Sequence, residues 1–145
     1  MSAPEEVPEW LESIDHTADV GICVRAPCLE KLFARAAWAM FSVITDMDSV
    51  RAIQVTRVAV EAEDRGSLLV RWLSELNYRH VTNHRLFSSF DILSLSDQRL
   101  EAEIGGEPIQ THRHTIHTEI KAVTFHELQL AHDDRGWKAR IIFDV

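Results

Sequence analysis

Eight apolar residues between Leu29 and Ile44 constrain this chain more than any other stretch of its 145 residues. Leu29, Leu32, Phe33, Ala36, Ala37, Met40, Phe41 and Ile44 fall at i, i+3, i+4, i+7, i+8, i+11, i+12 and i+15, with Glu30, Lys31, Arg35 and Ser42 off the stripe. The spacing predicts a helix over about 29–45 whose Met and Phe positions are core rather than a cofactor pocket. Such a helix has one wide apolar face to bury, and the segments around it must supply the surface that covers it.

Those segments read with period two. Residues 9–14 and 18–25 predict two strands before Pro27, and 53–62 predict a third. Gly66 and Ser67 open a second helix, with Leu68, Leu69, Trp72, Leu73 and Leu76 on one stripe and an end near Val81. From Leu86 the chain looks all-β: residues 87–95 and 99–104 flank the turn Ser96-Asp97-Gln98, and Gly105-Gly106-Glu107-Pro108 breaks the pattern. One or two strands follow over 118–130, and Asp133–Gly136 turn into a last strand from Trp137 to Asp144. The order predicts an α+β fold, a two-layer domain of two long helices packed on mixed, largely antiparallel β-sheet. Residues 1–8, with Pro4, Pro8 and acidic residues between, read as a disordered tail, leaving 9–145 as one domain.

The formal charge of −8 argues against unaided binding to nucleic acid, which needs clustered Lys and Arg, and fits a basic protein partner or bound cations. No apolar run approaches the ~20 residues of a membrane span, and Met1–Glu6 lack the basic and apolar regions of a signal peptide. Two cysteines, Cys23 and Cys28, are expected as free thiols in a reducing cytoplasm.

Chemistry-bearing residues concentrate between the first two strands, in Asp15-His16-Thr17-Ala18-Asp19, and at the far end, in Asp144-Val145. Oxygen donors at Asp19, Asp144 and, if the chain ends naturally there, the Val145 carboxylate would suit Ca²⁺, Mg²⁺ or Mn²⁺ rather than Zn²⁺. Asp15, Thr17 and Asp19 could equally satisfy backbone N–H groups in a turn. Asp46 and Asp48, just past the first helix, could add to a metal site or stand solvated. Rival clusters are His112-x-His114-x-x-His117, a modest zinc signal against a plain surface loop, and His80 with His84, four apart but without a third ligand. Lys121 could contact a phosphate or form a salt bridge with Glu119. No Walker loop, nucleophile elbow or H-E-x-x-H helix occurs. A small stand-alone metal-dependent hydrolase, with Asp15, His16 and Asp19 about its own metal, is one function class these residues allow.

Taken in order, the motifs resemble the archease family. They are Ile14-Asp15-His16-Thr17-Ala18-Asp19-Val20-Gly21, the first helix ending in Ile44-Thr45-Asp46, and Trp72-Leu73-Ser74-Glu75-Leu76. Gly106-Glu107-Pro108, Thr118–His126 around Lys121-Ala122-Val123-Thr124, and Ile142-Phe143-Asp144-Val145 complete the set, over about residues 9–145. The resemblance implies a protein cofactor rather than an enzyme. Archeases assist RtcB-type RNA ligases in tRNA splicing and RNA repair, promoting guanylylation of the ligase from GTP and its multiple turnover. It implies a divalent metal held by Asp19, Asp144 and Val145, with Asp15, His16 and Asp46 as further candidates, and a role in activation for Lys121. The partner is then the ligase, RNA is met only through it, and the site of action is the cytoplasm. His117 departs from the family pattern, where a small residue is expected.

Overall fold

A computed structural model of the chain describes residues 7–15 and 19–145. In chain order the elements are β1 (Leu11–Asp15), β2 (Asp19–Ala26), α1 (Leu29–Ile44), a 3-10 turn (Met47–Ser49), β3 (Gln54–Glu61) and α2 (Arg65–Asn83). They continue with β4 (Arg85–Leu95), β5 (Arg99–Pro108), β6 (Ala122–Val123), β7 (Gln129–Asp133) and β8 (Gly136–Asp144). Most of the expected disordered tail, and all of His16, lie outside the described residues.

The alternation in β2 and β8 sets the frame. Val20, Ile22 and Val24 lie opposite Phe143, Ile141 and Ala139, and this shared face turns to the core. Asp19, Gly21, Cys23 and Arg25 lie opposite Asp144, Ile142, Arg140 and Lys138 on the other face. The last strand is therefore interior to its sheet. β2 pairs along one edge of it, with β1 outside, while β7 and β6 share the other edge. A second sheet, in the order β3-β5-β4, stands apart from the first. The α+β class holds, but the strands form two sheets, and every pairing among the described residues is antiparallel rather than mixed.

The long stripe explains why two sheets can share one core. Leu32, Phe33, Ala36, Ala37, Ala39, Met40, Phe41 and Ile44 are all buried, so α1 contacts β2 and β8 of one sheet and β4 of the other. Phe41 stacks on Phe90 and meets Phe87 edge-on, each at 5.8 Å between ring centres. The Trp72 indole N–H of α2 donates to the Phe33 carbonyl of α1 at 3.0 Å, joining the helices through the core. α2 starts at Arg65, one residue before Gly66, and is capped by Asp64, whose carboxylate accepts the Ser67 N–H at 2.7 Å.

Gly105 and Gly106 do not break the second sheet; they lie within β5. A β-carbon on Gly106 would stand 2.0 Å from the Leu86 carbonyl oxygen. The β4–β5 pairing shifts register between Phe87 and Ser89 at this point, so only glycine allows the two main chains to approach so closely.

Candidate functional site

Asp19 opens β2 and Asp144 closes β8, and the antiparallel register sets them directly opposite one another. Directly opposed residues have β-carbons about 5 Å apart on one face, where like charges destabilise the pair unless a cation sits with them. Neither carboxylate accepts a hydrogen bond or ion pair from a described residue. Asp144 is exposed and Asp19 and Val145 are partly so, leaving the pair open to solvent or to a partner. Asp15 ends β1 opposite Val20, at the same end of the sheet. Among the described residues no three His, Cys, Asp or Glu side chains gather as a complete metal shell. The two opposed carboxylates are an incomplete, all-oxygen donor set, to which Val145, the next residue, would add a main-chain oxygen. That chemistry fits a hard divalent cation whose other positions are filled by water or by another molecule.

The segment from Thr115 to Lys121 brings Lys121 to this edge. Where α1 ends, the Thr45 hydroxyl donates to the Thr115 carbonyl at 2.6 Å and the His117 N–H donates to the Ile44 carbonyl at 2.7 Å. Further along, the Asn77 amide of α2 donates to the Ile120 carbonyl at 2.8 Å. The Lys121 N–H then donates to the Asp144 carbonyl at 2.8 Å. Lys121 is exposed and forms no ion pair with any described residue, so the salt bridge with Glu119 does not form. Asp46 sits at the α1 end of the segment, where its carboxylate meets His117 Nε2 at 2.9 Å, both side chains about half exposed.

A buried ion cluster that the sequence did not reveal holds the start of this segment. Glu107, fully buried, accepts from Arg113, from the Arg51 N–H at 2.6 Å and from His114 Nε2 at 3.0 Å. Arg113 also donates to the Ser49 carbonyl at 2.8 Å, tying the 3-10 turn to the loop after β5. Hydrogen bonds from the Arg113 guanidinium hold the Glu107 carboxyl down to about 2, well below its ordinary value of 4.5, and outweigh the opposing effect of burial. The available signal was weak: one carboxylate at the end of an apolar strand, with Arg113 and His114 six and seven residues on.

Within the histidine clusters the residues part ways: His112, His117 and His84 are exposed, while His114 and His80 are buried. His114 is buried, not part of a surface loop. Its Nδ1 accepts the Gln110 N–H at 2.9 Å, which puts the ring proton on Nε2, facing Glu107 and the Ser49 carbonyl. With both nitrogens engaged, His114 has no lone pair for zinc, while His112 is exposed and His117 is turned to Asp46. His80 is likewise buried. Its Nδ1–H donates to the Arg85 carbonyl at 2.8 Å, and desolvation lowers its pKa. His84 caps α2 in the left-handed conformation, with φ of 53°.

Comparison with known proteins follows this geometry along the chain. The archease protein family matches residues 11–145, from the first residue of β1 through Val145. A Methanopyrus kandleri archease is 36% identical over 137 residues, covering 92% of this chain and 98% of its own length. One from Methanothermobacter thermautotrophicus is 41% identical, over 92% of this chain and 97% of its own length. The solution structure of a Methanobacterium thermoautotrophicum protein superposes with a TM-score of 0.77 at 38% identity, covering 94% of this chain and 99% of the other. A Thermotoga maritima structure, described as an archease and possible chaperone, shares the fold with a TM-score of 0.60 at 16% identity, over 99% and 100% of the two chains. The match takes in both halves of the carboxylate pair, the two helices and the segment that carries Lys121: this chain belongs to the archease family.

Proposed function

We propose that this archease is a protein cofactor for an RtcB-type RNA ligase in the cytoplasm, promoting guanylylation of the ligase and its multiple turnover in tRNA splicing or RNA repair. The observation that carries the reading is the in-register pair of Asp19 and Asp144 at the solvent-facing end of two interior strands, with Lys121 bonded through its main chain to Asp144. Asp19, Asp144 and the Val145 main-chain oxygen would hold a divalent cation, Ca²⁺, Mg²⁺ or Mn²⁺, with its remaining positions open to oxygens from water or the ligase. Bound there, it would supply charge neutralisation and Lewis-acid polarisation towards phosphate oxygens. The exposed ammonium of Lys121 offers a second positive contact beside the carboxylates. The ligase carries the covalent chemistry and the RNA; an acidic chain of net charge −8 reaches RNA only through it.

The test is ligase guanylylation with GTP in the presence of wild type, Asp19→Ala and Asp144→Ala. Each variant should remain folded, because neither carboxylate holds a described partner, and each should lower stimulation roughly tenfold or more. Full stimulation by either folded variant would remove the metal from this position. The protein alone should leave generic phosphate esters intact; turnover of them would favour the stand-alone hydrolase.

A further inference from the structure

A groove of about 500 Å³ runs between α2 and the extended segment 119–123, on the side of Lys121 away from β8. Three features meet in it. First, Asn77 is only 7% exposed, and donation to the Ile120 carbonyl fixes its amide so that Oδ1 remains an acceptor without a donor. It is the sole buried side-chain atom so placed among the described residues. Second, the main chain of Val123 faces away from β8. The Thr124 N–H donates to the Ile142 carbonyl of β8 at 3.0 Å, and strand alternation directs the N–H and C=O of the residue before it the other way, on the side where Val123 lines the groove. β6 pairs with β8 alone, so that edge is open. Third, Tyr78 and Val81, three residues apart on α2, line the groove at 61% and 45% exposure, opposite Glu119 and Lys121, two charges without ion-pair partners among the described residues.

We infer that the groove receives an extended peptide segment of the partner protein, which adds as a strand to the open edge of β6. Its main chain pairs with Val123 and supplies the donor that the Asn77 oxygen lacks, while an apolar side chain covers Tyr78 and Val81. Glu119 and Lys121 stand two residues apart on one side of the wall, so the complementary segment carries a basic and an acidic residue at matching spacing. Charge also separates this occupant from RNA, since a single lysine flanked by Glu119 and Asp144 is a poor phosphate track. The inference rests on the ligase as partner and locates where it docks, apart from the carboxylate pair.

The experiment titrates an RtcB-type ligase into wild type, Val81→Glu and, as a control on the other sheet, Val55→Glu, which replaces a residue 62% exposed. Val81→Glu should weaken binding at least about tenfold and the control by less than about twofold. Hydrogen exchange should show the Val123 amide newly protected in the wild-type complex. If Val81→Glu misfolds, Tyr78→Arg takes its place. Wild-type affinity in the folded variant, or a Val123 amide that stays unprotected, overturns the groove and leaves ligase activation standing. A wild-type protein that does not bind the ligase overturns both. Displacement of the ligase from the groove by a single-stranded RNA oligonucleotide, lost in Val81→Glu, overturns the peptide in favour of RNA.

Discussion

At neutral pH Glu107 is an anion almost wholly out of water, held by Arg113, His114 and the Arg51 N–H. Because folding lowers its pKa from 4.5 to about 2, the unfolded chain takes up the proton first as the medium is acidified. The carboxylate's contribution, roughly 3 kcal/mol, is complete above about pH 5 and drains away as the pH falls towards 2. Glu107→Gln should lower stability at neutral pH and flatten this acid dependence. Urea denaturation of both proteins at pH 7 and about pH 3 checks it, and a variant that loses stability with acid as steeply as wild type would place the dependence elsewhere. Lys121 makes the opposite kind of prediction, since its side chain holds nothing in the fold. Lys121→Ala should keep wild-type stability and weaken ligase guanylylation more than Lys121→Arg, which retains the charge; equal, full stimulation by both would deny the position a charge-based role. The sequence exposes these two residues unequally. A lysine in an apolar stretch stands out, whereas a buried glutamate shows itself only once its three partners from two loops are in place.

Between residue and fold, β4 and β5 show how one element sets the limits of its neighbour. Their main chains approach so closely at Gly106 that a methyl group there would have to displace the Leu86 backbone. Gly106→Ala should therefore cost about 3 kcal/mol or more, whereas Gly105→Ala, whose β-carbon would meet only the Ala52 and Ser89 side chains at 3.0–3.2 Å, should cost less. Thermal or urea denaturation of the two variants orders them, and equal stability would deny the close approach. These glycines also show where pattern reading stops. Helix α1 is legible residue by residue because burial repeats with the helix period, and β2 and β8 because it repeats with the strand period. Gly105-Gly106 reads as a break because glycine is common in turns, and nothing local tells a turn from a main-chain contact with a strand some twenty positions away. The pairing of Asp19 with Asp144 was similarly beyond spacing alone. Two alternating segments say which faces are apolar, but register depends on how α1 seats between the sheets.

The molecule as a whole is acidic, with most strand-face charges already paired across strands, as in Arg57–Glu103 and Arg99–Glu61. Near one end of the first sheet, Asp19, Asp144, Glu119 and Lys121 have no ion-pair partner among the described residues. If a basic ligase surface docks there, association should slow several-fold between low and physiological salt while dissociation changes little, because steering acts on encounter. Stopped-flow mixing at two ionic strengths reads this directly, and a salt-independent rate would argue for apolar docking alone. No helix of the described residues is long and apolar enough to cross a membrane. The interior position of β8 carries a consequence for biosynthesis. β2 leaves the ribosome well before β8, so the early strand must wait until both helices and the whole second sheet have been made before its neighbour arrives, with its apolar face covered by α1. The two carboxylates that come to face each other are separated until that final strand inserts. A chain that stops short of β8 cannot present the pair, so the facing carboxylates report that β8 has been made and seated beside β2.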